Sequence, residues 1–402
     1  MRAKVYFFMM AILGLWSCQN PENKGPIVSA IQTPAALSSE EPNLFTDQRG
    51  DVYLSWIEKS EEQAKLLFSK LESGAWSASN VISKGNNWFV NWADFPSFIA
   101  QDQLMAAHWL QKRDEGTYDY DVRMVISNNS GQSWNDSFVP HTDGVSAEHG
   151  FVSLLPMEGD RIFATWLDGR NTKGGSHGNH SGGGAMTLRA AIFDNEGIPL
   201  EEWELDDRVC DCCQTSAALT TNGPVVVYRN RTEDEIRDMS IVRWVDGSWT
   251  SPEIIYNDNW NIAGCPVNGP AITANVNAVA VAWFTASGGQ PRVKLALSSD
   301  AGATFLPAVT LREGATNGRV GIAMLADQSL VVSWMETEGE LAKVVLGHYT
   351  SQGALKEKLT VAESTSSRNS GFPVITSSGN TVYMAWTETG ENSRIRTANI
   401  QF

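Results

Sequence analysis

"AVAVAWFTA", residues 278–286, alternates apolar side chains along a short run and ends beside an aromatic, Trp283. The rest of the chain repeats this phrase. Six further stretches follow it: "DVYLSWIE", "QLMAAHWLQ", "RIFATWLDG", "PVVVYRNR", "SLVVSWMET" and "TVYMAWTET". The aromatic series is Trp56, Trp109, Trp166, Tyr228, Trp283, Trp334 and Trp386, with spacings of 53, 57, 62, 55, 51 and 52 residues. Each spacing holds about four short strands with their turns, and period-two alternation marks half-buried strands. Seven such repeats predict an all-β propeller of seven four-stranded blades, with six blades plus a separate module as the alternative.

A second series runs in register with the first. Gly74, Gly131, Gly197, Gly247, Gly302 and Gly353 lie 18, 22, 31, 19, 19 and 19 residues after their aromatics. Two of these turns carry more detail: "SSDAGATF" (298–305) reads Ser-x-Asp-x-Gly-x-Thr-aromatic, and "SNNSGQSW" (127–134) repeats it with Asn129 at the Asp position. Such a hairpin caps its own amides with Asp300 or Asn129, turns on Gly302 or Gly131, and packs Phe305 or Trp134 beneath. A seventh glycine would fall beyond Phe402, so the last blade lacks an outer strand of its own. The stretch "PIVSAIQT" (26–33) is placed to supply it, joining the two ends of the chain and removing an open sheet edge.

On these Asp-box turns and the repeat, the chain resembles the sialidase superfamily of BNR-repeat β-propellers over most of residues 40–402. The resemblance implies that Asp300 and Asn129 are structural, that the active face lies opposite them, and that an acidic glycan is the partner. It also implies a glycoside hydrolase of the exo-α-sialidase kind, with a Tyr/Glu nucleophile pair, an Asp acid/base and three arginines gripping a carboxylate. The Arg-Ile-Pro motif of that family is absent, and the nearest string, "RIF" at Arg161, falls in a strand hairpin. Family sialidases have six blades.

In a propeller, the loops leaving each aromatic strand and those entering each innermost strand share one face. The loop after Trp166, "LDGRNTKGGSHGNHSGGGAMTLR", brings Asp168, Arg170, His177 and His180, either as a solvated segment or as part of a site. After Tyr228, "RNRTEDEIRD" supplies Arg229, Arg231, Glu233, Asp234 and Arg237. Arginines there offer planar forks for a carboxylate, sulfate or phosphate, and Glu233, Asp234 or Asp168 offer proton transfer; the plainer reading is a self-paired charged surface.

Three of the five cysteines crowd into "RVCDCCQTS" (208–216) as Cys210, Cys212 and Cys213. Cys210 lies 18 residues before Tyr228, Cys265 lies 18 before Trp283, and His149 lies 17 before Trp166. Three consecutive blades therefore place them at one level, on the loops entering the innermost strands. Two disulfides form one reading, with Cys265 bonded to a member of the cluster because a direct Cys212–Cys213 bond is strained. A copper or zinc site built from these thiolates and His149 is the second, and a free or redox-active thiol the third. Three functions follow: an acidic-glycan enzyme in which Arg170, Arg229, Arg231, Arg237 and His149 bind ligand, a metal-binding propeller, or a noncatalytic glycan- or protein-binding lipoprotein.

The N-terminal stretch "MRAKVYFFMMAILGLWSCQN" has a basic start, an apolar run too short for a bilayer span of roughly 20 residues, and a small residue before Cys18. "LWSC" resembles a bacterial lipobox. It implies a signal peptide over 1–17, lipidation at Cys18, a tether over 18–25, a propeller over 26–402, and a lipid-anchored protein of the bacterial cell envelope, in the periplasm or at the outer membrane. The four remaining cysteines then face an oxidising compartment. With a net charge of −16, a nucleic-acid partner is excluded, because phosphates need a basic surface.

Overall fold

Each repeated aromatic sits on the second strand of its own antiparallel sheet: Val52–Lys59, Leu104–Lys112, Arg161–Asp168, Gly223–Arg229, Ala278–Thr285, Leu330–Glu338 and Thr381–Glu388. The computed structural model describes Met1, residues 25–172 and residues 184–402, so Cys18, His177 and His180 lie outside the described residues. Seven sheets form seven blades, as the spacing predicts, and among the described residues helix is confined to two single 3-10 turns. In the second blade a lone bridge between Met124 and Phe138 stands where the other blades have an outer strand. The innermost strands ring a central channel of about 230 Å³, lined by Leu44, Ser97, Ser153, Ser216, Ile272, Ile322 and Ile375 among others.

The aromatics hold neighbouring blades together. Trp56, Trp166, Trp283 and Trp334 are completely buried. A buried indole N–H needs an acceptor. A residue two positions along a strand shares its face, and Glu58, Asp168 and Glu336 accept from Trp56, Trp166 and Trp334 at 3.0, 2.9 and 3.0 Å. Trp283 reaches Asp258 instead, at 2.7 Å.

The six turn glycines all have φ between 78° and 84°. In the turn at 298–305, Ser298 Oγ accepts from the Gly302 amide at 3.0 Å, and Asp300 accepts from the Thr304 amide and hydroxyl at 2.9 and 2.6 Å. Ser127 and Asn129 repeat the pattern at 127–134, accepting from the Gly131 and Ser133 amides at 2.9 and 2.9 Å. A Cβ at Gly302 would meet Ile241 at 2.8 Å, and one at Gly131 would meet Phe68 at 2.5 Å. These turns therefore press on the preceding blade, where Trp134 stands edge-on to Phe68 and Phe305 packs beside Ile241.

Closure joins the chain ends. Ile27–Ile31 pairs antiparallel with Arg394–Gln401, Ile27 opposite Gln401 and Ile31 opposite Thr397, so the seventh blade takes its outer strand from the N-terminal side.

Candidate active site

The loops entering the second, third, fourth and fifth blades converge on the face opposite the glycine turns, around a cavity of about 440 Å³. Its lining includes Asp94, Tyr120, Glu148, Arg231, Cys212 and Cys265, with the rings of Phe89, Trp92 and Tyr118. Three buried groups interlock at its wall. The Tyr120 hydroxyl lies 2.8 Å from Glu148 Oε1 and 3.2 Å from Asp94 Oδ2, and all three residues are buried.

Local backbone geometry builds this trio. The innermost strand of the third blade, His149–Met157, bulges between Gly150 and Ser153, with Phe151 at φ 54°. The bulge aims the Phe151 amide at Asp94 Oδ1, 2.7 Å away. Gly150 makes room for the same carboxyl, since a Cβ there would lie 2.0 Å from Asp94 Oδ2. Phe89 stacks on Tyr120 at a centroid distance of 4.3 Å, holding the phenol ring in place.

Burial governs the electrostatics. It pushes the Asp94 carboxyl from its ordinary 3.8 to about 7, against the pull of the Phe151 amide and the Tyr120 hydroxyl. Glu148 is held well above the carboxylate range by burial and by the charges of Asp94, Asp211 and Cys265, although its bond to Tyr120 pulls the other way. Burial and the two carboxyl groups likewise raise the phenol of Tyr120. The wall can therefore hold a protonated acid at neutral pH beside a tyrosine that has an acceptor for its proton.

The cysteines gather as their shared level predicts. Cys210 Sγ lies 3.4 Å from Cys213 Sγ and 3.9 Å from Cys212 Sγ, and Cys265 lies near enough to Cys212 for each thiol to shift the other's ionisation. All four are free thiols. Burial opposes ionisation of Cys210, yet the neighbouring thiols and the Arg237 guanidinium, 3.2 Å away, hold its thiol well below the usual range.

His149 does not join them. Successive side chains of a strand point to opposite sides, so Glu148 faces the cavity while His149 enters a separate cluster with His141, Asp121, Asp143 and Asp168. The two imidazoles stack 3.7 Å apart, and His149 Nε2 lies 3.2 Å from Asp143 and 3.6 Å from Asp168. Burial and the charge of His149 drive His141 down to about 3. His149 itself is raised by Asp143 and Asp168 against the cost of burial. The shared carboxylates thus hold two rings of opposite tendency, His149 made more basic and His141 less.

Several residues expected at the site serve the fold instead. Asp168 is fully buried, accepts from Trp166, and is clamped by Arg170 at 2.8 and 2.7 Å. Arg229 is buried outside the cavity lining, donates to the carbonyls of Asn268, Arg237 and Phe284, and stacks over Trp260. Arg237 is spent on Glu235 and Cys210. Glu233 and Asp234 are exposed and outside the cavity lining. Of the expected ligand-binding arginines only Arg231 lines the cavity, braced by Glu235 at 2.7 Å and Asp211 at 3.3 Å, and Arg208 and Arg368 line it as well. The trio itself escaped the sequence reading. Glu148 lies 18 residues before Trp166, the same count as Cys210 and Cys265, and the count applied to Trp109 falls on Asn91, beside "WADF" with Asp94.

No family model and no curated protein matches the chain. Among solved structures, the endosialidase of phage phi92 is similar over 94% of this chain and 69% of its own, at 10% identity and a TM-score of 0.51. An ulvan lyase is similar over 79% of this chain and 80% of its own, at 10% identity and a TM-score of 0.49. A sialidase from Streptococcus pneumoniae is similar over 92% and 69%, at 12% identity and a TM-score of 0.45. At 10% identity the likeness to the phage endosialidase shows the fold alone.

Proposed function

We propose that this chain is a carbohydrate-active propeller that hydrolyses an acidic glycoside in the cavity of Tyr120, Glu148 and Asp94. The observation that carries this is the buried Tyr120 hydroxyl held between two carboxyl groups at a cavity wall. It supplies the Tyr/Glu pair and the Asp that the sialidase resemblance calls for, and tyrosine is a known variant of the glycosidase nucleophile. In its ionised form Glu148 takes the phenol proton as Tyr120 Oη bonds to the anomeric carbon, and Asp94 protonates the departing glycosidic oxygen. Water then attacks the same carbon with Asp94 as base, the Tyr–carbon bond breaks, and the phenol recovers its proton from Glu148, so configuration is retained. Arg231 faces the sugar carboxylate, with Arg208 and Arg368 at the rim, and Trp92 and Tyr118 offer apolar faces to the ring. The neighbours named for sialidase and lyase activity are consistent with a glycan ligand but rest on fold. Export and lipid attachment at Cys18, in an Asp-box propeller of the bacterial envelope, complete the proposal. The test is turnover of aryl glycosides of sialic and uronic acids. Tyr120→Phe should abolish product release without lowering the melting temperature, and undiminished turnover by that variant would remove Tyr120 from the mechanism.

A further inference from the structure

We propose that Cys210, Cys212 and Cys213 form a binding site for a thiophilic d10 ion, Zn2+ or Cu+, with Cys265 supporting it from the loop entering the fifth blade. This stands apart from the glycan reading, since it uses none of Tyr120, Glu148 or Asp94.

The sulfur positions carry the argument. Sγ atoms bound to one ion at about 2.3 Å in tetrahedral geometry stand about 3.8 Å apart. Cys210 lies 3.4 Å from Cys213 and 3.9 Å from Cys212, and the three sulfurs all fall within 4.8 Å of one another. Bonded sulfurs would be about 2.05 Å apart. Residues 210–213 lie outside the strands, in a turn between Pro199–Val209 and Ser216–Thr220. Strand alternation would have split the three side chains between opposite faces; the turn lets all three converge.

The surroundings of Cys210 suit a thiolate better than a thiol. Arg237, with its side chain fully buried, gives one donor to Cys210 Sγ at 3.2 Å and another to Glu235 at 2.7 Å. A guanidinium without solvent needs anionic partners, and hydrogen bonds to ligating sulfur are the usual outer support of a thiolate site. Soft thiolates select Cu+ and Zn2+ over harder ions. Cys210 and Cys213 are buried, whereas Cys212 and Cys265 line the 440 Å³ cavity, so the ion would sit in the wall with its accessible side toward the cavity.

The experiment uses the full chain, purified with reductant, stripped with a chelator, and titrated separately with Zn2+, Cu+ and Co2+ as spectroscopic stand-in for zinc. We expect one ion retained per chain through gel filtration, a sulfur-to-cobalt charge-transfer band with Co2+, and protection of the thiols from alkylation. Elemental analysis of untreated protein distinguishes zinc from copper. Cys210→Ser and Cys213→Ser should abolish retention. Cys265→Ser, at an exposed position, should keep the melting temperature of the apo protein while weakening affinity by about 10- to 100-fold, the range expected for loss of a supporting interaction. Retention of no ion by the reduced chain would overturn the proposal, as would retention unchanged in Cys210→Ser and Cys213→Ser. So would a native intact mass four hydrogens below that of the reduced chain, which would make the cluster two disulfides.

Discussion

Replacing Asp94 by Asn removes a titratable group while leaving its shape. The amide oxygen can still accept from the Phe151 amide, now 2.7 Å from Oδ1, and the amide nitrogen can donate to the Tyr120 oxygen, which lets the phenol keep its bond to Glu148. In the wild-type chain the carboxyl lies at about 7, against an ordinary 3.8, chiefly because burial penalises its charge. Between those pH values the native state binds more protons at this position than the unfolded chain. Stability therefore falls as pH rises, being fully present below the unfolded value and lost as pH passes the folded one. At about 1.4 kcal/mol per pH unit the Asp94 contribution is about 4 kcal/mol across the window. Relief of the repulsion between Asp94 and Glu148 in the variant acts in the same direction. Urea denaturation followed by tryptophan fluorescence, run from about pH 4 to pH 8 on both proteins, should show the wild type losing roughly 4 kcal/mol relative to Asp94→Asn. Profiles parallel to within about 1 kcal/mol would refute the buried-acid reasoning, and with it the supply of a protonated acid at neutral pH.

Gly302→Ala combines φ of 81° with a Cβ placed 2.8 Å from Ile241, and should cost about 1–3 kcal/mol in chemical denaturation, a loss that Gly74→Ala, whose Cβ meets nothing, should not match beyond its strained φ. Removing residues 25–32 strips the outer strand from Arg394–Gln401; lower melting temperature and concentration-dependent association through the bared edge should follow, measured by calorimetry and light scattering. Cys18→Ser should release the exported chain from membranes or leave its precursor unprocessed, read by fractionation and intact mass. Arg231→Ala should raise KM for an acidic glycoside with a smaller effect on a neutral one, since its guanidinium lines the cavity already braced by Asp211 and Glu235.

The blades were legible because their signals are local. Alternation shows which strand is half buried, the aromatic marks its position in the repeat, and a glycine at positive φ marks the outer turn, so residues 278–305 alone state most of one blade. Closure was legible too, because a missing outer strand at one end and a spare alternating stretch at the other leave one economical pairing. The convergence of the cysteines followed from counting in the repeat, since equal distances from the aromatics mean equal heights on the propeller.

What counting does not supply is the direction a side chain takes and whether its polar atoms are already spent. Glu148 and His149 are adjacent, yet one joins Tyr120 and the other stacks on His141, because consecutive residues leave a strand on opposite sides. Arg229 and Arg231 have the same chemistry two positions apart, but three carbonyls from other strands and loops hold the first, while the second reaches the cavity wall. Asp94 and Tyr120 meet across 26 residues and two loops, with no local pattern linking them. A repeat determines where each loop stands on the ring. Only the packing of neighbouring loops decides which charges are buried and left for chemistry, because desolvation and hydrogen-bond partners come from residues remote in the chain.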